Sequence, residues 1–338
     1  MPKLSINLLR YTTPWEEIKE CIDSVLAQDY EDFELVYSEN APAGKPRLIE
    51  RVRKHYAGNP KLRAVDNGDN LGYAGGHNKF FMDTPSELLM PLNPDVIMQT
   101  GFLEEIIKVF SDPKVGAATG KMIKPKPNEQ GKQVLDGTGL IIFKSRRARE
   151  RGQLEVDSGQ YDNSPDIFGV SGTAAVYRKQ ALESVKLYER EYFDPDFFAY
   201  WEDLDLSWRL RLHGWYAKYV PTARIFHTRV VGVSPGGYKK FFTFVKHHKG
   251  FSKNIRRWNW RNHLFAIIKN DFGWNFWKNS WRIIGREIAM LGYIAIFETS
   301  TLGALPVFFR LLPKMLAKRK IIQKNKTATS KEMEKWFI

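Results

Sequence analysis

The stretch that decides the fold runs from residue 62 to residue 95. Residues 62–65 are strand-like, Asn70-Leu71-Gly72-Tyr73-Ala74-Gly75-Gly76-His77-Asn78 opens a helix, and the apolar run 87–92 stops at Asn93-Pro94-Asp95. A helix between two short apolar strands is a βαβ unit, and such units build a mostly parallel sheet. The alternation continues outward. Upstream, residues 1–9 are too short and too quickly polar for a signal peptide and read as a first strand. Thr13-Pro14-Trp15-Glu16 then starts a helix as a capping box with proline at the first helical position, and that helix runs to about Gln28. A strand at 33–37 and a helix near 46–56 follow; downstream come a helix at 100–111 and a strand at 115–119. In such a sheet, ligands bind beyond the carboxyl ends of the strands, where Glu39-Asn40, Asn70–Asn78 and Asp95 fall.

A second stretch carries candidate chemistry. Tyr200-Trp201-Glu202-Asp203-Leu204-Asp205 places three carboxylates at the start of a helix ending at Gly214. A helix N-terminus stabilises ionised carboxylates, and an ionised carboxylate beside apolar Phe197, Phe198 and Trp201 suits a general base. His227 follows after a strand-like run at 216–220 and the turn Pro221-Thr222-Ala223. Between these regions, residues 121–165 read as hairpins and a loop. Residues 168–178 read as a buried strand interrupted by small residues, with Gly172 allowing close backbone approach to a ligand.

The ordered series resembles glycosyltransferase family 2, in particular its bacterial rhamnosyltransferase-like branch. The matching motifs are Ser24-Val25-Leu26-Ala27-Gln28, Ser38-Glu39-Asn40-Ala41, Asn70 to Asn78, Leu92-Asn93-Pro94-Asp95-Val96, Phe193-Asp194-Pro195-Asp196-Phe197-Phe198, Trp201-Glu202-Asp203-Leu204-Asp205-Leu206 and His227. The resemblance implies a GT-A-type nucleotide-sugar-binding α/β domain with a Rossmann-like mixed sheet. It implies an inverting, metal-dependent transfer from a nucleotide sugar, best read as dTDP-L-rhamnose, to a lipid-linked saccharide in cell-surface polysaccharide synthesis. A UDP-hexose or UDP-furanose donor is the alternative. By the same resemblance Asp203 is the base, and Glu202 and Trp201 contact acceptor or sugar. Glu39, Asn40, Asn70, Gly72, Gly75, Gly76, Asn78, Asn93 and Asp95 line the donor pocket, and Asp95 and His227 hold Mg²⁺ or Mn²⁺. The family's acidic D-x-D stands here as Asn93-Pro94-Asp95, with one carboxylate. A non-catalytic lipid- or nucleic-acid-binding protein on a degenerate copy of the fold is the competing class; such a copy is expected to have lost Asp95, Asp203 or His227.

Composition divides the chain. Residues 231–338 hold 21 Lys and Arg against 5 Asp and Glu, whereas residues 1–230 hold 31 against 33; six of the ten tryptophans also lie after residue 230. With the turn-rich Val233-Ser234-Pro235-Gly236-Gly237 at the junction, this predicts a catalytic domain at 1–230 and a basic, aromatic, helical region at 231–338 for acceptor or membrane association. Cys21 is the single cysteine, so an internal disulfide and a cysteine zinc site are excluded. The apolar run 288–309 is long enough to cross a bilayer, but Glu298 and neighbouring polar residues favour a segment lying on an anionic membrane surface. The expected location is the cytoplasm, peripheral on the inner face of the cell membrane. The bases adjoin apolar sequence without a nucleic-acid motif, so nucleic acid is not an expected partner. Oligomeric state is left open.

Overall fold

The computed structural model describes residues 2–228 and 241–338; the junction motif at 233–237 lies outside them. The first part runs β1 (Leu4–Arg10), α1 (Trp15–Leu26), β2 (Phe33–Glu39), α2 (Ile49–His55), β3 (Leu62–Asp66), α3 (Gly72–Asp83), β4 (Leu88–Leu92), β5 (Val96–Met98), α4 (Phe102–Lys108) and β6 (Val115–Ile123). Then come β7 (Leu135–Gly137), the hairpin β8 (Leu140–Ile142) and β9 (Ala148–Glu150), β10 (Asp166–Ile167), β11 (Val176–Arg178), α5 (Lys179–Val185), α6 (Glu202–Leu212) and β12 (Tyr216–His227). Six helices complete the described chain: α7 (Phe241–Lys249), α8 (Lys253–Asn270), α9 (Gly273–Lys278), α10 (Ser280–Phe297), α11 (Leu305–Asn325) and α12 (Ser330–Glu334).

The main sheet is mixed. Its path is β10-β12-β6-β11-β4-β1-β2-β3, with β5 added to β12 and β7 to β6. Strands β4, β1, β2 and β3 are parallel neighbours, and β11 inserts antiparallel between β4 and β6. All of β1 is buried, because both sheet faces are covered. Leu4, Ile6 and Leu8 join the cluster under α1 and α4, whereas Ser5 and Asn7 point to the other face and bond Ser86, His77 and Ser38. Burial pushes the His77 imidazole down to about 3, so it is neutral there.

Three local expectations are corrected. The N-cap of α1 is Pro14 rather than Thr13, with no side-chain cap bond; this shifts the helix start by one residue and puts Thr13 out of reach. Residues 168–175 are not a strand: they are buried but irregular, and only Val176–Arg178 pairs with the sheet. The turn expected at 221–223 is instead absorbed into the twelve-residue β12, as an irregularity between Val220 and Arg224. The apolar run 288–309 is interrupted at Glu298, as the sequence indicates. The Glu298 carboxylate is buried under the Tyr293 hydroxyl (2.8 Å) and His248 (3.3 Å), and the chain turns through a 3₁₀ segment, Thr299–Ala304, before α11. Among the described residues no single helix is long and apolar enough to cross a membrane; the bent pair Ser280–Phe297 and Thr299–Asn325, at 117°, meets the criterion only together.

The C-terminal helices pack on the sheet-bearing part through charge as well as apolar contact. Fully buried Asp194 meets Lys269 of α8 at 2.6 Å and Lys318 of α11 at 2.5 Å. Arg146, beyond β8, pairs with Asp271 at 2.8 Å. Met333 and Phe337 close over Trp208 of α6.

Candidate active site

Register builds the first half of the site. β12 runs antiparallel to β5 with His227 opposite Val96, which brings the imidazole next to Asp95. His227 Nε2 lies 3.3 Å from Asp95 Oδ2, and Nδ1 lies 2.8 Å from Asp136 Oδ2. Asp136 is fully buried on β7, which pairs with β6. With Nδ1–H donating to Asp136, the Nε2 lone pair faces the Asp95 oxygen. Two acceptors at that separation repel unless the ring is protonated or a cation sits between them; a carboxylate holding the far nitrogen is the arrangement that aims a metal-binding histidine. One carboxylate and one imidazole suit Mg²⁺ or Mn²⁺ that also takes phosphate and water oxygens. Among the described residues no group of three His, Cys, Asp or Glu forms a self-sufficient metal cage. Asp136 was not legible in the sequence, because it comes from a region read as hairpins and loop.

The second half sits at the start of α6. Phe198, Tyr200 and Trp201 all have left-handed backbone, with φ of 66°, 69° and 75°. Three such non-glycine residues cost of order 1–3 kcal/mol each, a strain met at functional sites when the surroundings over-determine it. Here the determinant is Asn262 of α8. Its side-chain amide donates to the carbonyls of Phe197 (2.9 Å), Ala199 (3.0 Å) and Tyr200 (2.9 Å), while Arg261 holds the Asp196 carbonyl at 2.9 Å. The Trp201 ring stacks on His263 with centroids 4.6 Å apart, and its Nε1–H donates to Asn259.

Asp203 Oδ2 accepts the Gly172 N–H at 3.0 Å, and the neighbouring Thr173 carbonyl accepts the Asn93 N–H at 2.9 Å. The irregular segment 171–173 therefore ties the base candidate to the strand end that carries Asp95. The close approach at Gly172 is to Asp203 and to Tyr73, whose hydroxyl donates to the Gly172 carbonyl; a Cβ there would meet that hydroxyl at 2.4 Å. Glu202 is buried, and its Oε2 makes no hydrogen bond among the described residues. Burial first, then the adjacent Asp203 charge, raises its carboxyl well above the usual range. Of the two carboxyls, Glu202 is therefore the one whose neutral form is favoured. Asp205 turns away to Arg209, Lys269 and Asn270 and is structural.

The expected donor residues divide into two kinds. Asn40 is buried and donates to Asn70 and the Gly72 carbonyl while accepting from Asn67 and the Leu71 N–H, so it pins the glycine-rich turn. Gly72 has φ +71°, and a Cβ on it would meet the Phe198 carbonyl at 2.5 Å; the turn and the strained loop touch there. Gly76 packs under Leu9, Gly75 lies on Leu71, and Asn78 is bonded both ways to the Phe193 backbone. Glu39 is fully buried: Arg10 (2.8 Å), the Tyr37 hydroxyl (2.9 Å) and the Leu48 N–H (2.6 Å) take its oxygens. In this geometry it holds the end of β2 in place and turns no oxygen to an open pocket.

Asp203, Ser171, Tyr200 and Trp201 open onto a cavity of about 330 Å³. The hairpin β8–β9 walls one side, and His247, Arg256, Trp260, His263, Arg286 and Met290 of the C-terminal helices wall the other.

Comparisons with known proteins bear on the family and the fold. The poly-beta-1,6-N-acetyl-D-glucosamine synthase of Staphylococcus aureus (strain COL) is 27% identical over 212 residues, which make up 62% of this chain and 46% of that protein. The chain thus spans less than half the length of the curated relative it matches. The crystal structure of S. aureus TarS 1-349 superposes with a TM-score of 0.55 at 14% identity, covering 98% of this chain and 91% of that one. The mannosyltransferase PcManGT from Pyrobaculum calidifontis, in complex with GDP-Man and Mn²⁺, gives 0.52 at 16% identity, with 96% and 86% covered. The fold is GT-A-like, as these likenesses show. The sequence itself matches the family described as Glycosyl transferase family 2 over residues 10–186, more than half of its length, and the chain belongs to that family.

Proposed function

We propose that this chain is an inverting, metal-dependent glycosyltransferase that moves a sugar from a nucleotide donor to a lipid-linked saccharide during cell-surface polysaccharide synthesis. The observation that carries the reading is Asp203 at the start of α6, which faces a cavity and is positioned by the Gly172 N–H beside buried Glu202. Asp203 takes the proton of the acceptor hydroxyl as that oxygen bonds to the anomeric carbon. The bond from that carbon to the diphosphate breaks on the opposite face, and its electron pair leaves with the diphosphate, so configuration inverts. Glu202 and Trp201 contact the acceptor or the sugar. Asp95 and His227 hold the cation, with Asp136 orienting His227; when bound, Mg²⁺ or Mn²⁺ neutralises the charge gathering on the diphosphate.

Two donor readings have separate support. Resemblance to the rhamnosyltransferase-like branch supports dTDP-L-rhamnose, and the 27% identity to a synthase named for N-acetyl-D-glucosamine supports an N-acetylated hexose. Metal-dependent hydrolysis across a panel of nucleotide sugars decides between them; no hydrolysis of any donor, with or without acceptor, would overturn the transferase reading. Asp95→Ala and His227→Ala are each expected to weaken the metal-dependent part of nucleoside diphosphate binding by at least about ten-fold. Titration with and without Mn²⁺ measures it, and an unchanged metal response in both variants would make these residues structural.

The reading places the protein in the cytoplasm on the inner face of the cell membrane. Supporting it, Trp274, Trp277 and Trp281 are 72%, 69% and 69% exposed, and Trp281, Ile284, Ile288 and Leu291 recur at three- and four-residue steps along one face of α10. Lys278 and Arg282 flank that face. An exposed apolar stripe beside Arg282 matches an anionic membrane surface, where a base contributes about 1 kcal/mol; Lys278 is paired with Glu334. Trp277→Ser/Trp281→Ser is therefore expected to release the protein from anionic liposomes at low salt, as sedimentation would show. Wild-type protein that stays in the supernatant under those conditions would defeat this placement.

A further inference from the structure

The left-handed loop before α6 has an unusual turn at its centre. Phe198 has φ 66° and ψ −60°, and the Ala199 N–H donates back to the Phe197 carbonyl at 2.8 Å. That is a γ-turn of the rare, strained hand, and such strain persists only where the surroundings impose it. Trp201, at the cap of α6, is left-handed too (φ 75°, ψ −6°) and makes no side-chain cap bond, whereas helix caps ordinarily have extended backbone. Asp203 is the second residue of α6, so the direction in which the helix leaves Trp201 decides where its carboxylate lies.

The same loop closes the glycine-rich turn. The Phe198 carbonyl accepts the Ala74 N–H at 3.2 Å. Ala74 lies in the first turn of α3, where N–H groups have no partner inside the helix, and the loop supplies one. At Gly72 the fit leaves no space, since a Cβ would meet the Phe198 carbonyl at 2.5 Å and its ring at 2.7 Å. One short segment thus touches the turn at 70–76 on one side and launches the helix of Asp203 on the other.

Helix α8 holds that segment along its length. Phe197 stacks on Phe265, Phe198 lies against Trp258 with centroids 4.8 Å apart, and Trp201 stacks on His263. Fully buried Asn262 grips the backbone itself, through the carbonyls of Phe197, Ala199 and Tyr200. Arg261 donates to the Asn262 Oδ1 from Nε (2.9 Å) and Nη2 (2.8 Å), so the amide nitrogen is the end turned to the loop. We propose, on the transferase reading above, that Asn262 is a positioning residue for the reaction: by holding the strained loop it sets how the glycine-rich turn and Asp203 stand to each other. Helix α8 then supplies part of the catalytic architecture from beyond residue 230.

The test compares the full chain as wild type, as Asn262→Asp and as Asn262→Asp/Phe198→Gly. A carboxylate has the shape of the amide and still pairs with Arg261, but it offers the three carbonyls no hydrogen. Glycine takes left-handed backbone without a side-chain clash, so at position 198 it lessens the need for a tether. Hydrogen exchange, read by mass spectrometry without ligand, is expected to quicken at least about ten-fold in the single variant at 197–204 and also at 71–76, to which Asn262 makes no hydrogen bond, while β1 and β2 stay as protected as in wild type. With a nucleotide sugar that wild type turns over, kcat is expected to fall about 10- to 10²-fold, the scale of a misplacement of about 1 Å, with the donor KM changed less than about three-fold. The double variant is expected to regain most of that loss. Exchange that quickens at 197–204 alone, or equally throughout the sheet, overturns the linkage. A donor KM that rises as far as kcat falls overturns it as well, and so does a double variant no better than the single one. Wild type that turns over no nucleotide sugar overturns the transferase reading instead, and the exchange result then still decides whether Asn262 ties the loop to the glycine-rich turn.

Discussion

Asp203→Asn is expected to lower sugar transfer by about 10²–10⁴-fold, the scale of general-base catalysis, while folding and donor binding stay close to wild type. Amide and carboxylate are nearly the same shape, and the amide oxygen can still accept the Gly172 N–H that positions Asp203. What the amide cannot do is take the acceptor's proton. The partner control is Glu202→Gln. Burial and the Asp203 charge favour the neutral form of Glu202, which an amide resembles in shape and in having a donor, so the loss is expected to be far smaller. Single-turnover assays on the two variants separate the roles. Near-normal turnover in the Asp203 variant together with a collapse in the Glu202 variant would exchange them.

Asp194→Asn is expected to cost about 3 kcal/mol of stability, the low end of the range for breaking a buried ion pair by removing one partner. The carboxylate is fully buried, and its loss leaves Lys269 and Lys318 without the group that bridges them, although Asp205 still faces the first and Glu191 and Asp196 the second. Equilibrium denaturation reads the loss directly; a midpoint unchanged from wild type would mean that the remaining acids suffice. The same cluster sets an acid limit. Burial by itself raises the Asp194 carboxyl, but Lys269 and then Lys318 outweigh it and hold the group below the ordinary carboxylate range. A carboxyl depressed in the folded state stabilises fully above its unfolded value, about 3.9, and loses that contribution as pH falls toward the folded one. Wild type should therefore lose stability below about pH 4 more steeply than Asp194→Asn.

The parallel strands were legible because each obeys local rules: a short apolar run, a turn, and a helix of matching length. Glycine spacing marked the turn and helix start at residues 70–78 for the same reason. The residues that orient others were not legible. Asp136 reaches His227 from a three-residue strand 91 positions away, and nothing in Leu135-Asp136-Gly137 sets it apart from a turn. The segment 168–175 has the composition of a buried strand but is held irregular by its side-chain and backbone bonds to Asp203, Tyr73 and Asn93, all distant in sequence. Glu39 fell on the motif position read as a donor contact, but position alone does not show that Arg10, Tyr37 and Leu48 occupy its oxygens. The break at Glu298 was visible as a polar interruption; its buried partner His248, 50 residues upstream, was not.

Asn262 bears on how such a chain could be recombined. A chimera joined at residue 230 would keep Glu202 and Asp203 yet inherit another protein's helix in place of α8. If that helix lacks an amide at the matching turn, three carbonyls lose their common donor, and the left-handed backbone at Phe198, Tyr200 and Trp201 has no tether. The unit that can be exchanged intact is therefore discontinuous: the strands and α6 from one side of the junction together with α8 from the other.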